Sequence, residues 1–386
     1  MNKNSELCQY IAAHDNWEEE LKEKPYCLKI RHGEGRYKDL CVFCYDHLYS
    51  GFSNPIVQEA RGIIIDLKKL EVVCWAFNKF FNYGEGNAAE IDWSTARATE
   101  KIDGSIMKLW YFEDAGEWVL STNGMIDARE ALVGSPLNTD EKTFYDLFKE
   151  VDTIDYSLLD KACTYIFELC SSLSRVVVKW DETVLFHIGT KNNRTGKEFV
   201  SDIGIQKPKE FPVASLDDCL KAAKALSPAN EAEFGAMEAI NPNTLKFEGL
   251  VVNDADFNRI KVKSYAYVMT HLIANNNMSD YEIIVICLKG EADEFLSYFP
   301  RHTEQMKAYD KKVKSALKTL TELYDTVTDY WEKCGRNKGE LGRFLADNKY
   351  SKLAFNMILY NRTPVGALMN MPKPALIKLI NSFDPG

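Results

Sequence analysis

After about residue 270 the strand-forming runs of this 386-residue chain stop, and only helical periodicity remains. Residues 279–299, 303–333, 338–347, 350–360 and 373–382 carry apolar side chains at helical spacing with almost no β-branched runs. Gly335, Pro364 and Pro372 punctuate them. Before that point the pattern is mixed. Leu28-Lys29-Ile30 and Leu40–Tyr45 alternate as strands, and Gly62–Asp66 and Val72–Phe77 flank the Lys68-Lys69 turn as a hairpin. Strand-like runs recur at 104–112, 117–122, 163–170, 174–180, 183–188, 247–253 and 259–263, with helical stretches at 6–24, 139–150 and 215–226. Such a chain is α+β, with antiparallel sheets first and an all-helical region after them. The boundary is expected in Ala274-Asn275-Asn276-Asn277, giving domains 1–272 and 273–386.

Composition removes some function classes. No run of about eighteen apolar residues is present, so a membrane span is not expected, and the N-terminus lacks a long apolar signal core. The net charge of −10 argues against a general nucleic-acid coat, whose affinity comes from phosphate contacts, but leaves room for a local basic groove. Ten scattered cysteines, most in apolar runs, fit reduced thiols in the cytoplasm (host cytoplasm for a viral chain). Cys41-Val42-Phe43-Cys44 is the only Cys-x-x-Cys. With no second pair at zinc spacing, it reads as two buried thiols in a strand.

The chemistry centres on Lys101-Ile102-Asp103-Gly104-Ser105, between the run Ile91–Ala98 and the strand-like run Ile106–Phe112. A lysine on a turn between strands is a candidate covalent nucleophile. Lys-x-Asp-Gly is the arrangement with which nucleotidyltransferases attack the α-phosphorus of ATP or GTP. On its own the pattern also suits an exposed turn. What gives it weight is the order of the other charged motifs. Arg61-Gly62-Ile63 and Asn78-Lys79-Phe80-Phe81-Asn82 precede it. Phe167-Glu168-Leu169, Phe247-Glu248-Gly249 and Lys261-Val262-Lys263-Ser264 follow.

Each residue type has a task in that chemistry. A lysine must shed its proton to attack, and nearby cations make that easier. Lys261 and Lys263 stand two apart on one strand face, where they can do this and grip the α-phosphate. Glu168 and Glu248 suit Mg²⁺ or Mn²⁺, directly or through water. Arg61 and Lys79 can hold the β- and γ-phosphates, and Phe81 can stack on adenine or an RNA base. Asp103 and Gly104, inside the lysine motif, are expected at the nucleotide. Singly, each has an ordinary reading: a surface ion pair for Arg61, an aromatic turn for 78–83, a solvated strand face for the two lysines.

Taken together, the order Arg-Gly-Ile, Lys-Phe-Phe-Asn, Lys-x-Asp-Gly-Ser, Phe-Glu, Glu-Gly, Lys-x-Lys-Ser resembles the ATP-dependent RNA ligases of the phage tRNA-repair type, in the covalent nucleotidyltransferase superfamily. The resemblance covers about residues 55–271. It is sharpest at Arg61–Asp66, Asn78–Asn82, Lys101–Ser105 and Lys261–His271. It implies a nucleotidyltransferase (ATP-grasp-like ligase) domain with Lys101 as the adenylylated nucleophile. It makes Arg61, Lys79 and Phe81 upstream phosphate and RNA-end contacts, Glu168 and Glu248 the acidic motifs, and Lys261 and Lys263 the phosphate lysines. Tyr267 is the aromatic that follows them. Two departures stand out. Asn123-Gly124 replaces a basic residue before glycine, and Leu173-Ser174-Arg175 stands where the family tends to have Asn before Arg.

The resemblance implies an enzyme that uses ATP and Mg²⁺ or Mn²⁺ to join RNA 3′-hydroxyl and 5′-phosphate ends. Broken tRNA is one candidate substrate, and an end-healing kinase/phosphatase a candidate partner. The helical region would help to recognise RNA, with Lys311, Lys312, Lys314 and Lys318 along one segment. A DNA ligase or a GTP-using capping enzyme would instead call for short alternating strands after Lys263. A non-catalytic RNA-binding relative would not need the intact lysines and glutamates.

Overall fold

β1 (Leu28–His32), β2 (Leu40–Tyr45), β3 (Arg61–Asp66) and β4 (Glu71–Cys74) pair in that order as an antiparallel sheet. The run Ile63-Ile64-Ile65 is buried on both faces of β3, as β-branched residues on a covered pleat should be. Ile63 and Ile65 meet α1 (Glu6–Ala13), α2 (Trp17–Lys22) and α3 (Pro55–Glu59) through Leu7, Leu21 and Val57. Ile64 on the opposite face meets Trp110 and Phe112 of the next sheet. Each such side chain contributes roughly 1.5–3 kcal/mol on burial. This is a computed structural model, and it describes residues 4–135, 137–226, 246–264, 267, 279–298 and 302–383.

Two further sheets follow. β5 (Phe81–Asn82) and β6 (Arg97–Glu100) belong to the later one. β7 (Ser105–Phe112), β8 (Glu117–Ser121), β9 (Cys163–Cys170), β10 (Val184–Asn192) and β11 (Glu198–Phe199) form an antiparallel sheet in the order β11-β10-β9-β7-β8. Its central β9 is buried at every residue. Leu147 and Phe148 of α4 (Phe144–Val151), which starts in a Thr143/Asp146 capping box, cover one side. The third sheet takes the order β12-β6-β13-β14-β5, with β12 (Glu210–Phe211), β13 (Gly249–Asn253) and β14 (Arg259–Lys263). Cys219 and Ala223 of α5 (Leu216–Ala225) pack on its Leu250, Val252 and Ile260.

The chain divides into two compact units, Met1–His271 and Leu272–Gly386. The described part of the second is helical: α6 (Asp280–Lys289), α7 (Ala292–Tyr298), α8 (Thr303–Lys333), α9 (Lys338–Phe344), α10 (Ser351–Leu359), α11 (Pro364–Met369) and α12 (Lys373–Ile380). In α8 the buried positions Met306, Tyr309, Val313, Leu317 and Leu320 recur at three and four residues, the apolar stripe of a packed helix. The fold is thus mixed helix and antiparallel sheet followed by helices.

Some expectations need correction. The run 174–180 is not a strand, because the backbone N–H groups of Val177 and Val178 go to the Asp103 carboxylate rather than to a ladder. The strand expected over 72–77 ends at Cys74, and Trp75 N donates to Thr164 Oγ1 instead. β14 and β5 pair in parallel. The helix expected over 279–299 breaks at Gly290, whose φ of 72° closes α6. α11, started by a Thr363 cap and Pro364, was not expected. Tyr265, Ala266, Val268, His271 and the boundary Ala274–Asn277 lie outside the described residues. All ten cysteines are free thiols, and Cys41 and Cys44 both lie in β2. No helix among the described residues is long and apolar enough to cross a membrane.

Candidate active site

Lys101 stands on the loop between β6 and β7, and the loop is pinned from both sides. Lys101 N donates to Gly249 O at 2.8 Å, and Glu100 N to Lys209 O at 2.7 Å. Gly104 rides so close to β9 that a Cβ there would meet Leu169 O at 2.6 Å, so only glycine fits. Its N–H donates to Glu168 Oε1 at 3.2 Å. Asp103 is a tie within the protein. Its carboxylate accepts from Val177 N at 2.8 Å, Val178 N at 2.6 Å and the Tyr267 hydroxyl at 2.9 Å. Both Asp103 and Tyr267 line the cavity beside Lys101, and their mutual bond, with those from Val177 and Val178, ties down the Lys101 loop.

The charged side chains converge from four strands or strand ends. Lys101 Nζ donates to Glu248 Oε2 at 2.6 Å, and Lys263 Nζ lies 3.7 Å from Glu248 Oε1. Glu248 precedes β13, and the register sets Gly249 opposite Lys263 and Val251 opposite Lys261. Gly249 permits this closeness, since a Cβ would fall 2.4 Å from Val262 O. Lys263 Nζ also sits 5.3 Å from the Tyr267 ring centre. Lys261 has no carboxylate partner among the described residues. Burial lowers its pKa well below the usual lysine range, and Lys263, Lys101, Lys79 and Arg61 push the same way. Glu168 moves up to about 7, chiefly by burial. Glu248 and Asp103 add to the rise, while Lys101 and Arg61 oppose it.

Phe80 gathers three cations. Arg61 lies 5.1 Å, Lys261 5.1 Å and Arg259 5.3 Å from its ring centre. Arg61 Nη1 is a buried donor with no hydrogen-bond partner, in a wall of the same cavity. Gly62, at φ 77°, brings β3 against Asn123, where a Cβ would meet the Asn123 carbonyl at 2.6 Å. Asn123 and Gly124 form part of the rim, and Asn123 O accepts from Cys44 Sγ. Ser174 Oγ is buried without a partner.

The cavity has a volume of about 610 Å³, within the range of small-molecule sites. Lys101, Arg61, Gly104, Glu168, Glu248 and Lys261 all line it. Lys79, Phe81 and Lys263 do not, and Lys263 stands behind Glu248. Phe81 is 5% exposed and turns edge-on to Phe52, while Lys79 Nζ sits over the rings of Phe52, Tyr45 and Phe81 at 4.3, 5.0 and 5.2 Å. Side chains alternate along extended chain, so facing Phe80 to the cavity turns Phe81 away. Of the two, Phe80 and not the expected Phe81 therefore lines the cavity. Arg259 is the other residue that sequence reading missed. The alternation Arg259-x-Lys261-x-Lys263 was the available signal, since all three share one strand face.

The carboxylates suit a divalent cation. Glu168 and Glu248 offer oxygen ligands in a buried setting, and a carboxyl whose proton is held up to about 7 readily exchanges it for a metal charge. No cluster of three or more protein ligands exists among the described residues. That donor set fits an ion that keeps waters and takes phosphate oxygens. The arrangement as a whole puts an amine, two carboxylates and several cations around a space of nucleotide size, as nucleophilic attack on phosphorus requires.

The sequence pattern of the RNA ligase family matches residues 59–267. A protein of Autographa californica nuclear polyhedrosis virus, whose name proposes a bifunctional polynucleotide kinase/RNA ligase, is 28% identical over 70% of this chain and 39% of its own length. The RNA ligase of Rhodothermus phage RM378 is 30% identical over 40% of this chain and 41% of its own. The chain thus spans about two fifths of the length of these relatives. Among solved structures, an archaeal ATP-dependent RNA ligase superposes at a TM-score of 0.42 and 13% identity, over 73% of this chain and 68% of its own. A Naegleria gruberi RNA ligase mutant with ATP and Mn gives a TM-score of 0.29 at 12% identity, over 46% and 51%. Those scores are too low to argue from. The family pattern, however, runs through more than half of the 386 residues and through every motif of the cavity, and the chain belongs to the RNA ligase family.

Proposed function

We propose that this chain is an ATP-dependent RNA ligase that joins 3′-hydroxyl and 5′-phosphate ends through a lysyl-AMP intermediate. The observation that carries the reading is Lys101, held 2.6 Å from Glu248 on a loop locked by Asp103, at a cavity that also exposes Lys261 and an unpartnered Arg61 nitrogen. The amine of Lys101 attacks the α-phosphorus of ATP and pyrophosphate leaves. The RNA 5′-phosphate then takes AMP from the lysine, and the 3′-hydroxyl displaces AMP to close the phosphodiester. Lys261 and Lys263 stabilise the charge that grows on the α-phosphate, and Arg61 orients the leaving pyrophosphate. Lys79 stays over its aromatic rings and outside the Lys101 cavity, and Phe81 packs it in place. Glu168 and Glu248 would hold Mg²⁺ or Mn²⁺, which would supply charge neutralisation on the phosphates.

In this reading residues 1–272 form an adenylyltransferase domain of the ATP-grasp-like ligase kind, and residues 273–386 recognise RNA. Broken tRNA is the proposed substrate, in the cytoplasm of a cell or of a virus host. The viral relative joins a kinase name to a ligase name, which supports an end-healing kinase/phosphatase as the partner activity. The test is incubation with α-labelled ATP and, separately, GTP, followed by a denaturing gel and a sealing assay on RNA. ATP labelling with RNA joining is expected. GTP labelling instead indicates a capping-type enzyme, and no labelling a non-catalytic relative.

A further inference from the structure

A second cavity, of about 590 Å³, opens on the other side of the wall made by Phe80, Phe257 and Arg259. Four cations face it, Lys79, Lys191, Lys197 and Arg259, against two carboxylates, Glu198 and Asp256. Glu198 is committed within the protein, 2.7 Å from Arg259 and 3.9 Å from Lys191. Lys197 is exposed and has no carboxylate partner among the described residues.

The turn between β13 and β14 carries the second observation. Phe257 has a left-handed backbone, φ 61°, where a bulky residue is strained and glycine or asparagine would be at ease. The strain is held by buried Asp254, whose carboxylate accepts from Asp256 N at 3.0 Å, Asn258 N at 3.0 Å, Asn258 Nδ2 at 3.0 Å and Asp92 N at 3.2 Å. Phe257 is only half-buried, and no aromatic ring packs on it among the described residues. A large ring fixed in a costly conformation, against two cavities and without a ring of its own to meet, has the form of a stacking platform.

We propose that this second cavity receives a nucleotide of the RNA strand, its base on Phe257 and its phosphate beside Lys79 and Lys197. The inference rests on the RNA ligase reading. Once AMP is joined to an RNA 5′-phosphate, the adenosine fills the first cavity, and the adjoining nucleotide needs a place within one pyrophosphate bridge of it. A cavity of nucleotide size that shares the Phe80, Phe257 and Arg259 wall provides that place.

Phe257→Asn separates this role from a structural one. Asparagine suits the left-handed turn, so the variant should melt no lower than the parent. The ratio of the KM for RNA to the KM for ATP should rise about tenfold or more with loss of a stacked base. Phe257→Tyr, which keeps the ring, should restore it. Lys197→Ala should weaken single-stranded RNA and lower the slope of log affinity against log salt by about one, with ATP labelling as in the parent. Saturating with pre-adenylylated donor and with 3′-hydroxyl acceptor in turn shows which strand enters. An unchanged ratio in a folded Phe257→Asn variant, or a rise confined to ATP, overturns the proposal. Titration of a fluorescent single-stranded RNA reads the same variants without catalysis. A parent that binds RNA but takes no label from ATP therefore sinks the ligase reading and not this one.

Discussion

Lys101 Nζ lies 2.6 Å from Glu248 Oε2, and the other oxygen of that carboxylate faces Lys263 Nζ at 3.7 Å. Lys101, the proposed nucleophile, thus rests as one arm of a lysine–glutamate–lysine bridge. An amine whose protons are engaged by a carboxylate does not attack phosphorus, so in the proposed reaction the bridge would have to open first. Glu248 would hold a divalent cation through the same oxygens, and the charge of that cation would compete with Lys101 for the carboxylate.

Lys101→Ala should take no label from ATP, since no other amine replaces it at the end of this bridge. It should still seal RNA that is already adenylylated, because that substrate carries the product of the lysine's work. A denaturing gel and a sealing assay on pre-adenylylated RNA check both halves. Labelled protein from the alanine variant would remove Lys101 from the nucleophile's role.

Lys261→Ala and Lys263→Ala should each slow adenylylation by about 10²–10³, the usual cost of losing one preorganised charge contact to a transition state. Arginine should not rescue position 261. Its fixed charge and planar fork would enter a space where Arg61, Lys101 and Lys263 already repel a cation. Single-turnover labelling rates measure this. Near-parental rates would make the pair an ordinary strand face.

Glu168 gives a pH dependence with a defined sign. Its carboxyl is raised from 4.5 to about 7 in the fold, so between those values the folded chain holds a proton that the unfolded chain has lost. This group's contribution to stability is therefore present below about 4.5 and declines as the pH rises through about 7. In metal-free buffer Glu168→Gln, which keeps an oxygen for the Gly104 N–H, should match the parent near pH 5. It should melt higher than the parent at pH 8. Added Mg²⁺ or Mn²⁺ should stabilise the parent more than the variant. Melting curves at the two pH values, with and without metal, decide it. A parent–variant gap that does not widen with pH would contradict the buried-carboxyl account.

The order of charged motifs was legible because each one is local. Arg61, Lys101, Glu168, Glu248 and Lys261 all reach one cavity from the strands or loops their own neighbours predict. The misses are long-range. Whether Phe80 or Phe81 faces the cavity depends on a one-residue register that flips every side chain, and β5 is too short to show it as a pattern. Asp103, expected at the nucleotide, does line the cavity, but the partners that hold its carboxylate, Val177, Val178 and Tyr267, are between 74 and 164 residues away and could not be read locally. The run 174–180 is apolar and β-branched, and propensity alone made it a strand until that carboxylate claimed its N–H groups. Arg259 shows its role only once Glu198, 61 residues upstream, is seen to pair with it.

The helical unit should affect the choice of RNA more than the first chemical step. Every motif that lines the cavity ends by Tyr267, within the unit Met1–His271. On α8, Lys312 bonds Asn381 Oδ1 at 2.8 Å and Lys314 pairs with Asp310 at 2.7 Å, so those two are engaged within the unit. Lys311 and Lys318 are exposed and seven residues apart, two turns along one helix face. If that face meets an RNA backbone, reversing both charges should weaken binding across sequences and flatten its salt dependence. Lysyl-AMP formation in the Lys311→Glu/Lys318→Glu variant should match the parent. Its sealing of a nicked anticodon loop should fall relative to its sealing of unstructured RNA, because a folded loop presents phosphates beyond the joined ends and a short single strand does not. A chain cut after residue 275 should behave the same way once its solubility and melting are established. The measured quantity is the ratio of the two sealing rates. If that ratio is unchanged in a folded, adenylylation-competent variant, α8 has no part in RNA recognition and its exposed lysines are a solvated face.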